Sequence, residues 1–155
     1  MATVYDSIED AIVTALKAVN TPLVTVEARG AGLSDADLIE ELMRLADGTQ
    51  SPAALVLYAG GDSNEGYTHV LTEDALYDVV VISATRTRTA ATRGSAQDTG
   101  IYELLTWCRG QLHDLRNSGV LNDLIYMGTR RLAIAGSPLT VAAYAMRYKT
   151  MIQFA

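Results

Sequence analysis

Six apolar residues, Ile101, Leu104, Leu105, Cys108, Leu112 and Leu115, recur at helical spacing and fall in one stripe about 100° wide. No other feature of the chain constrains its fold as strongly. A helix with one continuous apolar face must bury that face against another layer. The layer is visible elsewhere: after Pro52, residues Ala53 to Ala59 form an unbroken apolar run too short for a helix. Such a run predicts a central strand buried on both faces. Together the two features demand helices packed on a sheet.

The remaining segments supply the other parts. Asp6 followed by Glu9 reads as a capped helix start, and Ile8, Ile12, Ala15, Leu16 and Val19 continue it until Pro22 intervenes. Leu23 to Ala28 is β-rich, and Gly30 and Gly32 make a turn. Ser34 can cap a second helix carrying Leu38, Leu42, Leu45 and Ala46, which Gly48 stops. Gly60 to Tyr67 reads as a polar loop, Thr68 to Leu71 as a short strand, Glu73-Asp74 as a turn, and Leu76 to about Arg88 as a long strand. Thr89 to Asp98 reads as a mobile loop, and the striped helix starts at Asp98 or Thr99 and ends at Asn117-Ser118-Gly119. Two last strands, Arg130 to Ala135 and Thr140 to Phe154, are joined by Gly136-Ser137-Pro138. In the final one, Tyr144, Met146, Tyr148, Ile152 and Phe154 share one face, opposite Arg147, Lys149 and Gln153. The predicted order is α-β-α-β-β-β-α-β-β. This is a single α/β (α+β) domain over residues 1–155, a mixed β-sheet with two to three packed helices.

Composition agrees with one folded domain and excludes several classes of function. A length of 155 residues, half of them hydrophobic, is enough for a core and rules out a largely disordered chain. No apolar run approaches the ~18 residues of a membrane helix, so no membrane partner is expected. The start, Met1 to Asp6, lacks the basic and apolar regions of a signal peptide. A single cysteine, Cys108, excludes an internal disulfide framework and fits a reducing compartment. A net charge of −6 argues against a dedicated nucleic-acid binder.

The motifs that carry chemistry fall short. Gly30-Ala31-Gly32 sits between a strand and a helix, as in a dinucleotide fingerprint, but Asp35 stands where the third glycine belongs and would repel phosphate. Gly60-Gly61 lacks the Gly-Lys-Ser/Thr ending of a phosphate loop. Asp62 to Gly66, with Glu73 at the twelfth place, faintly resembles a calcium loop, but its glycine is one place early and Tyr67 occupies that position. Cys108 and His113 lie about 140° apart around one helix and cannot share a metal. The other histidine, His69, is on a different segment. No cofactor, metal or catalytic residue is expected.

Charge is unevenly placed. Residues 1–78 carry 14 acids against Lys17, Arg29 and Arg44, a net of −11, and residues 79–155 carry a net of +5. Ten of the twelve bases are arginine, whose planar fork suits protein interfaces. The asymmetry describes either two solvated faces or unlike sides that associate head to tail. Arg86 and Arg88 alternate out of a strand, with Arg93 after them. They read as a solubilising strand end or as a basic finger that docks on a neighbour's acidic surface. The acidic second-helix start, Asp35, Asp37, Glu40 and Glu41, is the candidate surface. Trp107, roughly 100° off the core stripe, either covers the core's edge or anchors an interface.

Taken in order, the segments resemble a known family. They are Ile8-Glu9-Asp10-Ala11-Ile12, Val26-Glu27-Ala28 through Gly32-Leu33-Ser34-Asp35, Pro52 through Ala59-Gly60-Gly61, and Tyr77-Asp78-Val79-Val80-Val81. They continue with Arg93-Gly94 through Gly100-Ile101-Tyr102, Leu104-Leu105, Arg130-Arg131-Leu132 and the strand from Thr140. This series resembles the tail terminators of Mu-like bacteriophages. The resemblance implies a structural, non-enzymatic virion protein of the tail or neck, forming a ring, usually of six subunits. Such a ring caps the head-proximal end of the tail tube and ends its polymerisation at the length set by the tape-measure protein. The implied partners are other copies of the chain, the tail tube protein, the head-completion or neck protein and, in a contractile tail, the sheath protein. DNA passes through the lumen without sequence readout. Alternatives are another neck or head–tail connector ring, or a small ligand-binding or hydrolytic α/β protein using the Gly30–Asp35 turn.

Overall fold

A computed structural model of the chain describes residues 3–29, 35–46, 51–64, 71–85, 93–94, 100–113, 115, 123–132 and 140–154. The elements are α1 (Val4–Leu16), β1 (Thr25–Arg29), α2 (Asp35–Leu45), β2 (Ala53–Asn64), β3 (Leu71–Thr85), α3 (Ile101–Leu112), β4 (Ile125–Leu132) and β5 (Thr140–Phe154). The five strands form one mixed sheet in the order β1-β2-β3-β5-β4, with β1 parallel to β2 and every other pair antiparallel. The fold is therefore a single α+β domain. Among the described residues two strands, β2 and β3, precede α3; of the short strand predicted over Thr68 to Leu71 only Leu71 is described, and it opens β3.

β2 is buried on both sides, as its apolar run requires. Ala54 and Val56 face one cluster with Ile8, Ile12, Leu16, Tyr77, Val79, Val81, Leu104, Cys108 and Met146. Ala53 and Leu55 face the other, with Leu42, Leu45, Val80, Ile82, Ala143 and Ala145. Thus α1 and α3 cover one face of the sheet and α2 covers the other. The α3 stripe inserts Ile101, Leu104, Cys108 and Leu112 fully, while Leu105 and Leu115 are only partly covered.

Several boundaries differ from expectation, each for a local reason. The cap of α1 is Thr3 and not Asp6. The Thr3 side chain accepts from the Asp6 N–H at 3.2 Å, and the Asp6 carboxylate accepts from the Thr3 N–H at 2.9 Å. The helix ends at Leu16, short of Val19, because Pro22 bars helical geometry just before it and Thr21 turns back onto the Ala18 carbonyl. β1 starts at Thr25 and not Leu23. The Val24 N–H is instead engaged by the Pro52 carbonyl at 2.7 Å.

Gly60-Gly61 continues β2 through what reads as a loop. The register shifts between Tyr58 and Gly60, leaving Ala59 as the extra residue, and Gly60 takes φ +99. A side chain on Gly61 would collide with the Glu73 carboxylate. β3 runs unbroken through Glu73 and Asp74, which pair with Ser63 and Asp62, so the expected turn there is absent.

Gly100, not Asp98 or Thr99, is the N-cap of α3, and His113 ends the helix before the predicted stop. β4 begins at Ile125, not Arg130, because a bulge at Gly128 (φ +138) breaks the alternation that would have marked the strand. β5 has the expected bounds and faces. On its α2 side, Arg147 clamps the Asp78 carboxylate with two hydrogen bonds, at 2.9 and 3.0 Å. The predicted turn at Gly30–Gly32, the Ser34 cap, the Gly48 stop, Gly66 to Val70, most of the Thr89–Asp98 loop, Asn117 to Gly119 and Gly136 to Pro138 lie outside the described residues.

Candidate functional site

A cleft of about 680 Å³ opens between the outer shoulder of α3 and the edge strand β4. Tyr102, Leu105, Thr106, Arg109 and His113 recur at spacings of three and four and line the helix side. Leu124, Tyr126 and Thr129 line the other side, and Tyr148 of β5 lies between them. The Arg109 guanidinium sits over the Tyr126 ring, 4.0 Å from its centroid. Stacked this way, its in-plane N–H groups stay able to donate. Tyr126 packs at 5.6 Å on Tyr148 and its hydroxyl meets Thr129.

Tyr148 is 2% exposed, and its hydroxyl is a buried polar atom without a hydrogen-bond partner among the described residues. Burial pushes its ionisation up to about 12. Gly110 also lines the cleft, and a Cβ there would meet nothing within 4 Å. A glycine inside a helix costs about 1 kcal/mol against alanine, and no neighbour among the described residues requires this one.

A second polar cluster lies on the same face of the sheet, against α1. The Tyr5 and Tyr58 hydroxyls both donate to Glu73, which raises the pKa of each tyrosine; for Tyr58 desolvation is the larger cause. Tyr58 in turn stacks on Tyr5 at 4.9 Å and on Tyr77 at 5.5 Å. Glu9, 7% exposed, lies against the same cluster, and desolvation raises its pKa against a hydrogen bond from the Tyr58 backbone. Nothing in the spacing of Tyr5, Tyr58 and Glu73 announces this cluster, because it is built by register across three elements. The cleft had one sequence signal, a half-polar helical stripe beside the apolar one, interrupted by Gly110.

The residues singled out from sequence that are described are not gathered in one place. Trp107 is half-buried and packs on the edge of the α1–α3 core. Asp37 and Glu40 are exposed on α2, on the opposite face of the sheet. Glu41 is occupied within the subunit, since Arg44 bridges it at 3.0 Å and reaches Glu27 of β1 at 2.8 Å. Arg93 is exposed. Arg86, Arg88 and the Asp35 side chain lie outside the described residues. Cys108 is fully buried and desolvation pushes its thiol up to about 12, so it stays protonated at neutral pH. The incipient calcium loop is not one: Asp62 to Asn64 are strand, and Glu73 is held by tyrosines. Among the described residues no three His, Cys, Asp or Glu side chains group as a metal site, and no helix is long and apolar enough to cross a membrane.

What the surface presents is contact chemistry: a basic, half-apolar cleft on one face and an acidic helix with exposed Ile39 and Met43 on the other. The family model described as Bacteriophage Mu, Gp37 matches residues 5–153. The chain belongs to this phage family, which indicates a phage structural or morphogenesis protein. No curated protein matches it.

Proposed function

We propose that the protein is a tail terminator, a ring-forming subunit that caps the head-proximal end of a phage tail tube. The ring ends tube growth and offers its outer surface to the head-completion or neck protein, and to the last sheath ring if the tail contracts. Its place is the virion tail or neck. The observation that carries the reading is the near full-length match to a Mu phage family, residues 5–153. The unlike faces support it, because a closed ring joins one patch of each subunit to a different patch of the next. In this reading Arg86, Arg88 and Arg93 form a basic finger that reaches the α2 start of a neighbour, near Asp35 and Asp37. Exposed pairs contribute about 0–1 kcal/mol each, so the finger tunes the ring and apolar contacts hold it.

The test is electron microscopy of tails assembled with and without the protein. Loss of the protein should give tubes of irregular, excess length, and adding it back should cap them at one end. Tails of normal length in its absence would end the reading.

A further inference from the structure

The α3–β4 cleft has one feature that the described part of the subunit does not require. Gly110 leaves a stretch of helix backbone open where a side chain would fit and would favour the helix. Arg109 lines the same cleft, its guanidinium stacked 4.0 Å from the Tyr126 ring centroid. No acidic side chain lines the cleft among the described residues. A carboxylate is the group that suits it, because it accepts from the planar Arg109 fork.

The same chain carries a matching shape. On α2, Ile39, Glu40 and Met43 share an outward arc about 100° wide, with Ile39 46% and Met43 38% exposed. An apolar i, i+4 pair beside one carboxylate is what a helix-in-groove contact uses. Its partner groove offers Tyr102, Leu105 and Leu124 as apolar wall. α2 and the cleft lie on opposite faces of the sheet, so the contact joins unlike surfaces of two copies.

We propose that the α3–β4 cleft of one subunit receives the outer face of α2 from a second copy, with Glu40 at Arg109. This rests on the ring reading above and gives that ring its subunit contact. Gly110 is then glycine so that the incoming helix can approach α3 closely.

Sedimentation velocity over a concentration series, beside capping of purified tail tubes, tests it. Gly110→Gln fills the cleft with a good helix former. It should leave the melting temperature no lower, yet weaken self-association at least tenfold and reduce capping with it. Glu40→Arg and Arg109→Glu should each weaken association by about the same factor, and combining them should restore most of it. If the wild type associates and caps tubes while Gly110→Gln and Arg109→Glu do so equally well, the cleft is not the contact, although the ring reading stands. If the wild type caps tubes but its subunits never associate, the inference fails alone. If it neither associates nor caps, both fail. Duplex DNA binding lost in Arg109→Glu while self-association persists would assign the cleft to phosphate and overturn the proposal.

Discussion

Leu104 and Leu105 are neighbours on α3 with the same side chain, and the structure gives them opposite surroundings. Leu104 is fully buried in the cluster shared with α1, β3 and β5, whereas Leu105 is half-covered at the rim of the cleft. Leu→Ala changes helix propensity equally at both sites, so the difference between the two variants isolates burial. At Leu104 the lost transfer energy and the cavity add, costing about 2–5 kcal/mol. At a mid-range cost of about 3 kcal/mol, a domain of this size should melt about 6–12 °C lower. Leu105→Ala removes atoms that water already reaches and leaves no closed void, so about 1 kcal/mol is expected. Urea denaturation followed by circular dichroism reads both, with the slope checked for constancy. Equal losses at the two sites, or a loss under about 0.5 kcal/mol at Leu104, would refute the assignment of the core face of α3.

The Asp78–Arg147 clamp should be asymmetric. Arg147→Ala strands a carboxylate whose side chain is 5% exposed, while Asp78→Ala frees an arginine already 44% exposed. The first should therefore cost about 2–3 kcal/mol, less than a fully buried pair, and the second about 1; equal costs would contradict this. Glu9, raised by desolvation, binds its proton more tightly folded than unfolded, so its penalty is absent below the unfolded pKa and complete above the folded one. Glu9→Gln should then stabilise the protein at pH 7 and not at pH 4, as read by melting temperature across that range. Thr3→Ala removes the capping box and should cost about 0.5–2 kcal/mol, with Thr3→Ser recovering most of it in the same melts.

The fold was legible where one period ran undisturbed. The α3 stripe, the two-sided β2 run and the alternation of β5 each carry a single repeat over many residues, and each element appears where that repeat places it. The errors gather at two bulges. At Gly60 and Gly128 one extra residue shifts the phase of the pattern, so Gly60 to Asn64 looks like a loop and Ile125 to Thr129 looks like nothing. Glu73-Asp74 fails for a different reason. Two adjacent acids read as a turn, yet in the ladder Asp74 sits opposite Asp62, a like-charge pair that is unfavourable, and Glu73 sits opposite Ser63. Two tyrosine hydroxyls, from α1 and β2, take up the Glu73 carboxylate, and no local window contains that information.

The candidate site shows the same division between local and assembled signals. Charge counting finds an acidic α2, and the structure then separates its members: Arg44 spends Glu41 on holding α2 to β1, which leaves Glu40 facing out beside Ile39 and Met43. Trp107, the aromatic that stands out in the sequence, packs on the core's edge, whereas the aromatics of the cleft, Tyr126 and Tyr148, meet only because β4 pairs with β5. That pairing sets Tyr126 directly opposite Tyr148, with the two rings 5.6 Å apart and Arg109 stacked on the first. The bulge at Gly128 follows immediately, turning the strand so that Thr129 rejoins the cleft side and meets the Tyr126 hydroxyl. One irregularity thus hides β4 from a periodicity reading and completes the cleft wall. Straightening it, by Gly128→Val at φ +138, should strain the strand and disturb the cleft before the core, because both buried clusters are built without that residue. Loss of the near-ultraviolet tyrosine signal and of self-association, with helix content retained, is the expected result; an unchanged tyrosine spectrum would show that the bulge does not shape the cleft.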